Sequence, residues 1–212
     1  MSIVSFKVLE LFAGSRSIGK AAQELGYDVF SSDINSFDDI DYVVDILEFD
    51  VSKIPFVPDF IWASPPCTSY SIAAISHHRK DGKAISEFAK KSDKMMMRLH
   101  DIIDHFISMN PSLVYYIENP RGMLRKMPFM RKHMVRHTVT YCQYGDTRMK
   151  PTDIWTNTLF WIPRMPCKNG SPCHISAPRG SKTGTQGLNG NYERSKIPHE
   201  LCLEVLNIYS YA

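Results

Sequence analysis

The chain has 212 residues, of which 43% are hydrophobic, and a formal net charge of +3. This length suits one domain with a sizeable core, and the nearly balanced charge permits an anionic partner without requiring one. No apolar stretch approaches the ~18 residues of a membrane span, and the first residues lead directly into a strand-like run without a signal peptide. The five cysteines are irregularly spaced, which argues against a disulfide framework. We therefore expect a cytoplasmic protein with no membrane partner.

The first forty residues predict the opening unit of a nucleotide-binding α/β sheet. Residues 6–12 form a predicted strand, a glycine-containing loop follows at 13–19, and a helix is predicted over 20–25. A second strand over 27–32 ends at Asp33, where an acid can accept hydrogen bonds from two ribose hydroxyls. Two glycines alone support an ordinary turn with an exposed acid equally well.

A cysteine follows a rigid turn in the middle of the chain. Residues 60–63 are a short apolar run that predicts a buried strand, and Ser64-Pro65-Pro66 stops it. Cys67 comes next, at the carboxyl end of the strand, which is the edge where open α/β sheets bind ligands. A thiolate at this position can act as a nucleophile, whereas the competing interpretation is a small buried thiol.

A second candidate for chemistry lies at the end of another predicted strand. Residues 113–117 are strongly β-prone and lead into Glu118-Asn119, so this carboxylate and Cys67 are expected at one edge of the same sheet. In chain order the other predictions are a strand over 42–45, a basic mobile loop over 76–83, an amphipathic helix over 84–109, a basic helix over 121–136, a strand over 138–144, a turn over 145–151, a strand over 158–162, a loop over 165–193 and a helix over 198–209.

Short motifs occur in one order along nearly the whole chain. They are Leu9-Glu10-Leu11-Phe12-Ala13-Gly14, Asp33, Asp45-Ile46, Pro66-Cys67, Glu118-Asn119, Arg148-x-Lys150 and the closing segment Arg194-Ser195-Lys196-Ile197-Pro198. Each motif is short, but this order, at the predicted ends of elements, is hard to obtain by chance. In these features the sequence resembles the DNA (cytosine-5) methyltransferases.

The resemblance implies an α/β fold, a Rossmann-like S-adenosylmethionine-dependent methyltransferase sheet with helices on both faces. It implies a catalytic domain over 1–160, a Gly/Pro-rich loop over 161–193 and a closing motif with a helix over 194–212. S-adenosyl-L-methionine is the implied cofactor, and DNA with a flipped or unpaired cytosine is the implied substrate. The implied catalytic residues are Cys67, Glu118, Asn119 and Arg148; those for the cofactor are Phe12, Gly14, Ser15, Ile18, Gly19, Asp33, Ile34, Asp45, Ile46 and Pro65; those for the substrate are Ser71 and Lys150.

The family chemistry explains why these residue types are needed. C5 of cytosine is too weak a nucleophile to take a methyl group from S-adenosylmethionine. Addition of the Cys67 thiolate at C6 would make an enamine-like intermediate whose C5 is reactive. Glu118 would hydrogen-bond N3 and the exocyclic amine, and Arg148 would hold the O2 carbonyl. The sequence does not identify the base that removes the C5 proton.

The chain departs from the family at several positions. Pro120 follows Glu-Asn where Val is frequent, Ser64-Pro65 precede Pro66 where most members have Gly-Phe, and Lys150 replaces an arginine, which loses a bidentate contact. The large target-recognition domain that members usually insert before the closing motif is replaced by a short loop. We expect low or unusual sequence selectivity, as in a compact phage-type enzyme, or a protein partner that selects the target.

The short loop itself has two candidate roles. Cys167, Cys173 and His174 together with Cys142 or Cys202 offer four ligands for zinc, but the spacing misses the usual C-x2-4-C pattern, and reduced, partly exposed thiols are the favoured interpretation. Residues 182–192 contain three glycines and could contact DNA or act as a linker.

Three other functions compete with cytosine-5 methylation. Ser64-Pro65-Pro66 is similar to the motif of exocyclic amino-methyltransferases, but these need an aromatic ring where Cys67 stands. A non-catalytic relative that binds nucleic acid or a protein would not need Cys67 and Glu118. The same thiol addition could act on another pyrimidine or attach another one-carbon group, and the sequence does not separate this reaction from methylation.

Overall fold

The computed structural model describes residues 5–130, 134–176 and 191–207. Its strands are β1 (Lys7–Leu11), β2 (Asp28–Asp33), β3 (Tyr42–Val43), β4 (Phe60–Ala63), β5 (Arg79–Lys80), β6 (Lys83–Ala84), β7 (Val114–Pro120), β8 (Val135–Thr140) and β9 (Pro151–Thr156). The α-helices are α1 (Ser17–Glu24), α2 (Ile75–His78), α3 (Glu87–Met109), α4 (Asn191–Ser195) and α5 (His199–Leu206).

Seven of the described strands form one sheet, in the order β3-β2-β1-β4-β7-β9-β8. The first five are parallel, whereas β9 runs antiparallel to both β7 and β8. Because the carboxyl ends of parallel strands meet at one edge, the segments that follow β1, β2, β4 and β7 lie side by side. A separate two-stranded hairpin contains β5 and β6.

Helices cover both faces of the sheet, because side chains alternate along each strand. Leu9 and Ile61 point to the face that packs against α3 in one buried cluster. Val8 and Trp62 point to the opposite face, where α1 and α5 complete a second buried cluster. The predicted α/β sheet with helices on both faces is confirmed. The described helices lack either the length or the apolar character that crossing a membrane would require.

The prediction was wrong between β7 and the end of the sheet. The described residues of the range 121–136, which exclude 131–133, contain a single 3-10 turn, Met123–Lys126, instead of a helix, and β8 already begins at Val135. The predicted strand over 138–144 ends at Thr140 because a second 3-10 turn, Tyr141–Tyr144, follows. The predicted last strand over 158–162 is irregular, and the last strand within the described part of the chain is β9.

A buried ion pair explains why β9 was not recognised. Asp153 lies in the middle of this strand and is fully buried, a position where an acid normally indicates a turn. Arg125 donates from Nε to its Oδ2 at 2.8 Å and also contacts Oδ1, and the Thr138 hydroxyl donates to Oδ1 at 2.8 Å. The acid is therefore compensated by partners that are distant in sequence.

The basic segment over 76–83 was predicted as a mobile loop and instead forms the end of α2 and the hairpin. Arg79 is buried in it and donates from Nε to the Ser69 carbonyl at 2.9 Å. The same guanidinium pairs with Asp93 on α3. Its charge therefore anchors the segment that follows Cys67.

The carboxyl-terminal helix differs in its bounds from the prediction. The predicted helix over 198–209 is α5, which begins at His199 with Pro198 as its N-cap and packs against α1. Residues 208–209 lie outside the described residues. In the predicted loop over 165–193, residues 165–176 contain no helix or strand and residues 191–195 form α4, while 177–190 lie outside the described part of the chain.

Candidate active site

Cys67 lies on a braced turn after β4. It is the N-cap of the 3-10 turn Thr68–Tyr70 and is partly exposed. The Asn119 side chain at the end of β7 donates a hydrogen bond from Nδ2 to the Pro65 carbonyl at 2.9 Å. Since Arg79 holds the other end of the turn through Ser69, the thiol sits on backbone that is fixed on both sides. Of the predicted roles, Asn119 therefore acts here as a positioning residue.

Opposing charges act on the Cys67 thiol. Burial raises the pKa of Cys67, and the negative charge of Glu118 raises it further. The positive charges of Lys150 and Arg194 act in the opposite direction, but the pKa remains above its ordinary value. The structure thus brings the thiol, one carboxylate and two cations from four separate segments close enough to interact, and it holds the thiol protonated at neutral pH.

Glu118 is buried at the end of β7 and has a partner that the sequence did not reveal. The Tyr141 hydroxyl donates to its Oε1 at 2.9 Å. Burial, and then the adjacent Glu118 charge, raise the pKa of Tyr141 well above its ordinary value, so the phenol remains a donor. Tyr141 therefore orients the carboxylate that the resemblance places on the base.

Lys150 lies beside the reacting groups in a strained conformation. Its φ of 28° is in the left-handed region, which is unfavourable for a side chain of this size. Its Nζ donates to the Arg194 carbonyl at 3.0 Å and lies 4.5 Å from the centre of the Tyr141 ring. Burial lowers the pKa of Lys150, while Glu118 and Cys67 act to raise it. These charges therefore link Lys150 electrostatically to Glu118 and Cys67, two of the four predicted catalytic residues.

Arg148 is held by a neighbour instead of pointing freely at a ligand. Its Nε donates to both carboxylate oxygens of Asp146, at 2.9 and 3.0 Å, and its backbone N–H donates to Oδ1 at 2.7 Å. The Asp146 hydrogen bond, against partial burial, raises the pKa of Arg148. Its Nη1 is buried with no hydrogen-bond partner among the described residues. One donor therefore remains for a substrate.

The loop after β1 has the backbone shape of a ligand cradle. Phe12, Gly14 and Arg16 all have φ between 51° and 54°. This left-handed conformation is unfavourable for Phe12 and Arg16, because both carry a side chain. The Gly14 N–H donates to Asp33 Oδ2 at 3.0 Å, which ties the loop to the end of β2. A Cβ at Gly14 would lie 3.1 Å from the Ser195 hydroxyl, so the closing segment returns to this loop.

The neighbouring strand ends supply groups that fit a nucleoside. Ile34 follows Asp33 and is 56% exposed, which is unusual for a large apolar side chain and leaves a surface for an aromatic ring. Asp45 caps a 3-10 turn and pairs with Lys91 at 2.7 Å. Burial acts to raise the pKa of Asp45, but Lys91 and the Leu47 N–H outweigh it and lower the pKa. Asp45 is thus an anionic acceptor, and Asp33 directly precedes the exposed Ile34 side chain.

Four predicted cofactor residues serve the fold in this structure. The backbone N–H groups of Ile18 and Gly19 donate to the buried Glu10 carboxylate at 3.1 and 3.0 Å, so they are occupied. Ile46 is buried in the core that includes α3. The Ser15 and Ser17 hydroxyls bond each other at 2.9 Å.

The predicted substrate residue Ser71 and the four zinc candidates lie outside the cofactor loop and its neighbouring strand ends. Ser71 follows the Cys67 turn and begins the 3-10 turn Ile72–Ala74. The four zinc candidates lie together, with every potential ligand atom within 4.8 Å of the others, although their sequence spacing favoured free thiols. No individual role was predicted for Tyr141, Arg194 or Asp146, because their partners are distant along the chain or come close only in the folded turn.

Sequence comparison supports the resemblance that the motifs indicated. No protein-family model matches the chain. A probable DNA (cytosine-5)-methyltransferase of Frog virus 3 (isolate Goorha) is 29% identical over 224 residues, which cover 95% of this chain and 99% of that protein. The predicted resemblance to the DNA (cytosine-5) methyltransferases is therefore confirmed over nearly the full length.

Solved structures of methyltransferases share the fold. The methyltransferase EhMeth of Entamoeba histolytica superposes with a TM-score of 0.54 at 14% identity, over 78% of this chain. A DNMT2 variant of Spodoptera frugiperda gives a TM-score of 0.50 at 21% identity, over 79% of this chain. This chain spans only 58% and 57% of those two proteins, respectively. The predicted Rossmann-like methyltransferase sheet is confirmed.

Proposed function

We propose that this protein transfers a methyl group from S-adenosylmethionine to C5 of cytosine in DNA through a covalent bond between Cys67 and C6. The observation that carries the proposal is geometric: Tyr141 hydrogen-bonds Glu118 and its ring lies 4.5 Å from Lys150 Nζ, while Asn119, next to Glu118, holds the turn that carries Cys67. A thiol, a carboxyl group and a cation are the parts that nucleophilic activation of a pyrimidine needs. The viral relative, named for the same reaction, supports it independently.

The strand ends next to Cys67 fit the cofactor. Asp33 and Asp45 offer carboxylate oxygens for ribose hydroxyls and an adenine amine, and Ile34 offers an exposed apolar surface for the adenine ring. The left-handed loop at Phe12 and Gly14 lets backbone approach the ligand closely. When bound there, S-adenosylmethionine supplies an electrophilic methyl group.

In the proposed reaction, each bond that forms at C5 or C6 is matched by a bond that breaks. The Cys67 thiol would pass its proton to the Glu118 carboxylate, and the thiolate sulfur would form a bond to C6 while the C5–C6 π electrons move toward N3, which takes that proton from Glu118. S-adenosylmethionine, held by Asp33, Ile34 and Asp45, would supply the methyl group to C5 and leave as the thioether, while N3 returns its proton to Glu118. A base removes the C5 proton, the C5–C6 double bond re-forms and the thiolate leaves.

Three cations share two separate tasks in this scheme. Lys150 and Arg194 lower the pKa of Cys67 against burial, so they stabilise the thiolate when it forms. Arg148 is oriented by Asp146 and keeps a buried Nη1 donor, which we assign to the O2 carbonyl of the base. C6 is inaccessible within a stacked duplex, so the target cytosine must be flipped or unpaired.

A mechanism-based trap tests the covalent step directly. The protein is incubated with S-adenosylmethionine and DNA carrying 5-fluorocytosine, as a duplex and as a single strand. Because fluorine cannot be removed as a proton is, we expect a denaturant-resistant adduct on the peptide that contains Cys67.

Two variants calibrate this trap. Cys67→Ser should lose the adduct and retain cofactor binding, whereas Cys202→Ser, which changes a buried cysteine on α5, should retain the adduct. Absence of an adduct from the unsubstituted protein on both DNA forms, with cofactor binding intact, contradicts the proposed reaction and favours another pyrimidine or a binding-only relative.

A further inference from the structure

Four side chains from two separate segments of the chain meet at the end of β8. Cys142 belongs to the 3-10 turn Tyr141–Tyr144, whereas Cys167, Cys173 and His174 come from the irregular segment that follows β9. All four potential ligand atoms lie within 4.8 Å of one another. Folding therefore collects three thiols and one imidazole at one point, although their spacing in the sequence matches no zinc motif.

Three of the distances between these atoms fit a tetrahedral metal. Two ligands at about 2.3 Å for sulfur and 2.0–2.1 Å for nitrogen lie roughly 3.8 Å apart as a sulfur pair and roughly 3.6 Å apart as a sulfur–nitrogen pair. His174 Nδ1 is 3.6 Å from both Cys167 Sγ and Cys173 Sγ, and Cys173 Sγ is 3.7 Å from Cys142 Sγ. The Cys142–Cys167 pair is closer, at 3.1 Å.

Neighbouring groups orient these ligands. The Cys167 N–H donates to Thr140 Oγ1 at 3.0 Å, which fixes this ligand against the end of β8. Gln143 Nε2 donates toward Cys173 Sγ at 3.4 Å, a contact that stabilises a thiolate. The Ile175 N–H donates to the Thr147 carbonyl at 2.9 Å and closes the segment. Such outer contacts are typical of structural metal sites.

The segment needs a cross-link because it has little core of its own. Met165 is 83% exposed and Ile175 is 68% exposed, so its large apolar side chains do not hold it to the sheet. We propose that Cys142, Cys167, Cys173 and His174 bind one zinc ion that fixes this segment to the end of β8. Four protein ligands leave no open position, so the site is structural and not catalytic.

The proposed zinc site braces part of the candidate active site. Cys142 directly follows Tyr141, whose hydroxyl bonds Glu118. On the other side, Ile175 holds Thr147, which lies in the turn that leads to Arg148 and Lys150. Zinc binding is thus expected to stabilise the turn that carries both cations. The metal site itself rests on the ligand geometry and is independent of the proposed reaction.

Metal analysis of the purified full chain tests the site. After removal of loosely bound metal, we expect about one zinc per chain by elemental analysis and native mass spectrometry. Cys142→Ser and Cys173→Ser should reduce this content at least about tenfold, since each removes one of four ligands. Cys202→Ser is the matched control because Cys202 is also buried but lies outside the cluster, and it should retain zinc.

A second set of measurements keeps the test independent of folding defects. Cobalt(II) added to the apo-protein should give the visible absorption of tetrahedral thiolate coordination, lost in His174→Ala and retained in His174→Cys, since four cysteines also bind zinc. Chelation should lower the melting temperature of the unsubstituted chain and not that of Cys173→Ser. The proposal would be overturned by folded protein that contains no zinc and gives no cobalt absorption. It would also be overturned by a Cys142–Cys167 disulfide in protein freshly purified under reducing conditions.

Discussion

The Cys67 thiol is set between a carboxylate that opposes its ionisation and cations that favour it. Burial is the larger influence, and together with Glu118 it keeps the pKa of Cys67 above its ordinary value. A thiol that remains protonated until substrate arrives is less exposed to oxidation and alkylation. In our proposal the base, once bound over Glu118, shifts this balance toward the thiolate.

Single substitutions of Glu118 and Lys150 should shift the pKa of Cys67 in opposite directions. Glu118→Gln removes a negative charge, so the thiolate forms at lower pH, whereas Lys150→Met removes a positive charge, so it forms at higher pH. The measurement is the rate of iodoacetamide labelling of the Cys67 peptide against pH, by mass spectrometry. Shifts of both variants in the same direction would contradict this account of the site.

Only some of the site could be predicted at the scale of residues. Glu118 follows a β-prone run directly and Cys67 follows another after the Ser64-Pro65-Pro66 turn, so the sequence indicates both their identity and their position near a strand end. Tyr141 is 23 positions from Glu118, and its hydrogen bond exists only because β7, β9 and β8 are neighbours in the sheet. No local pattern carries that information.

At the scale of elements, a buried carboxylate joins β1 to the start of α1. Glu10 accepts the Ile18 and Gly19 N–H groups, and a Cβ at Gly19 would lie 2.7 Å from its Oε2, so glycine leaves room for this contact. Burial raises the pKa of Glu10 to about 7, against the two backbone hydrogen bonds and the charge of Arg16. The carboxyl group thus replaces a side-chain cap that Arg16 does not supply.

This raised pKa predicts a pH-dependent contribution to stability. Because the folded-state pKa of Glu10 lies above the unfolded value of 4.5, its favourable contribution is complete below about pH 4.5 and is lost as the pH rises through about 7. Glu10→Gln has no such titration. The difference in unfolding free energy between the two proteins should therefore change by about 2 kcal/mol from pH 5 to pH 8, in favour of the variant.

Urea unfolding at the two pH values measures this difference. The variant also loses one acceptor for the helix, which costs about 1 kcal/mol at every pH and cancels when the two pH values are compared. A difference that does not vary with pH would show that Glu10 stays ionised in the folded protein throughout.

Elements were predicted correctly where their apolar side chains follow one period. The prediction failed where a buried polar group interrupts that period. The 23-residue helix α3 has apolar residues at three- and four-residue spacing and was predicted within three residues of its start. β9 was missed since Asp153 breaks its apolar pattern, and the ion pair with Arg125 that compensates the acid is invisible in sequence. Tertiary pairing decided both of the last two strands.

At the scale of the whole molecule, we propose that target choice depends on the interval between the basic motif and the closing segment. Lys150 and Arg194 meet in space, since Lys150 Nζ bonds the Arg194 carbonyl. Between them the chain supplies β9, the proposed zinc segment and residues 177–190, which lie outside the described part. We propose that this interval takes the place of a target-recognition domain, with few side chains available to read base edges.

Low selectivity follows from this interval and can be measured. Each bidentate contact to a base contributes about 1–3 kcal/mol of discrimination, so an enzyme without such contacts should methylate cytosines in many contexts with rates that differ less than about tenfold. Random-sequence duplex and single-stranded libraries, incubated with S-adenosylmethionine, bisulfite-converted and sequenced, give the rate for every context. Cys67→Ser supplies the background. Modification confined to one short sequence would contradict the proposal, because it requires base readout by residues 157–190 or by another part of the chain.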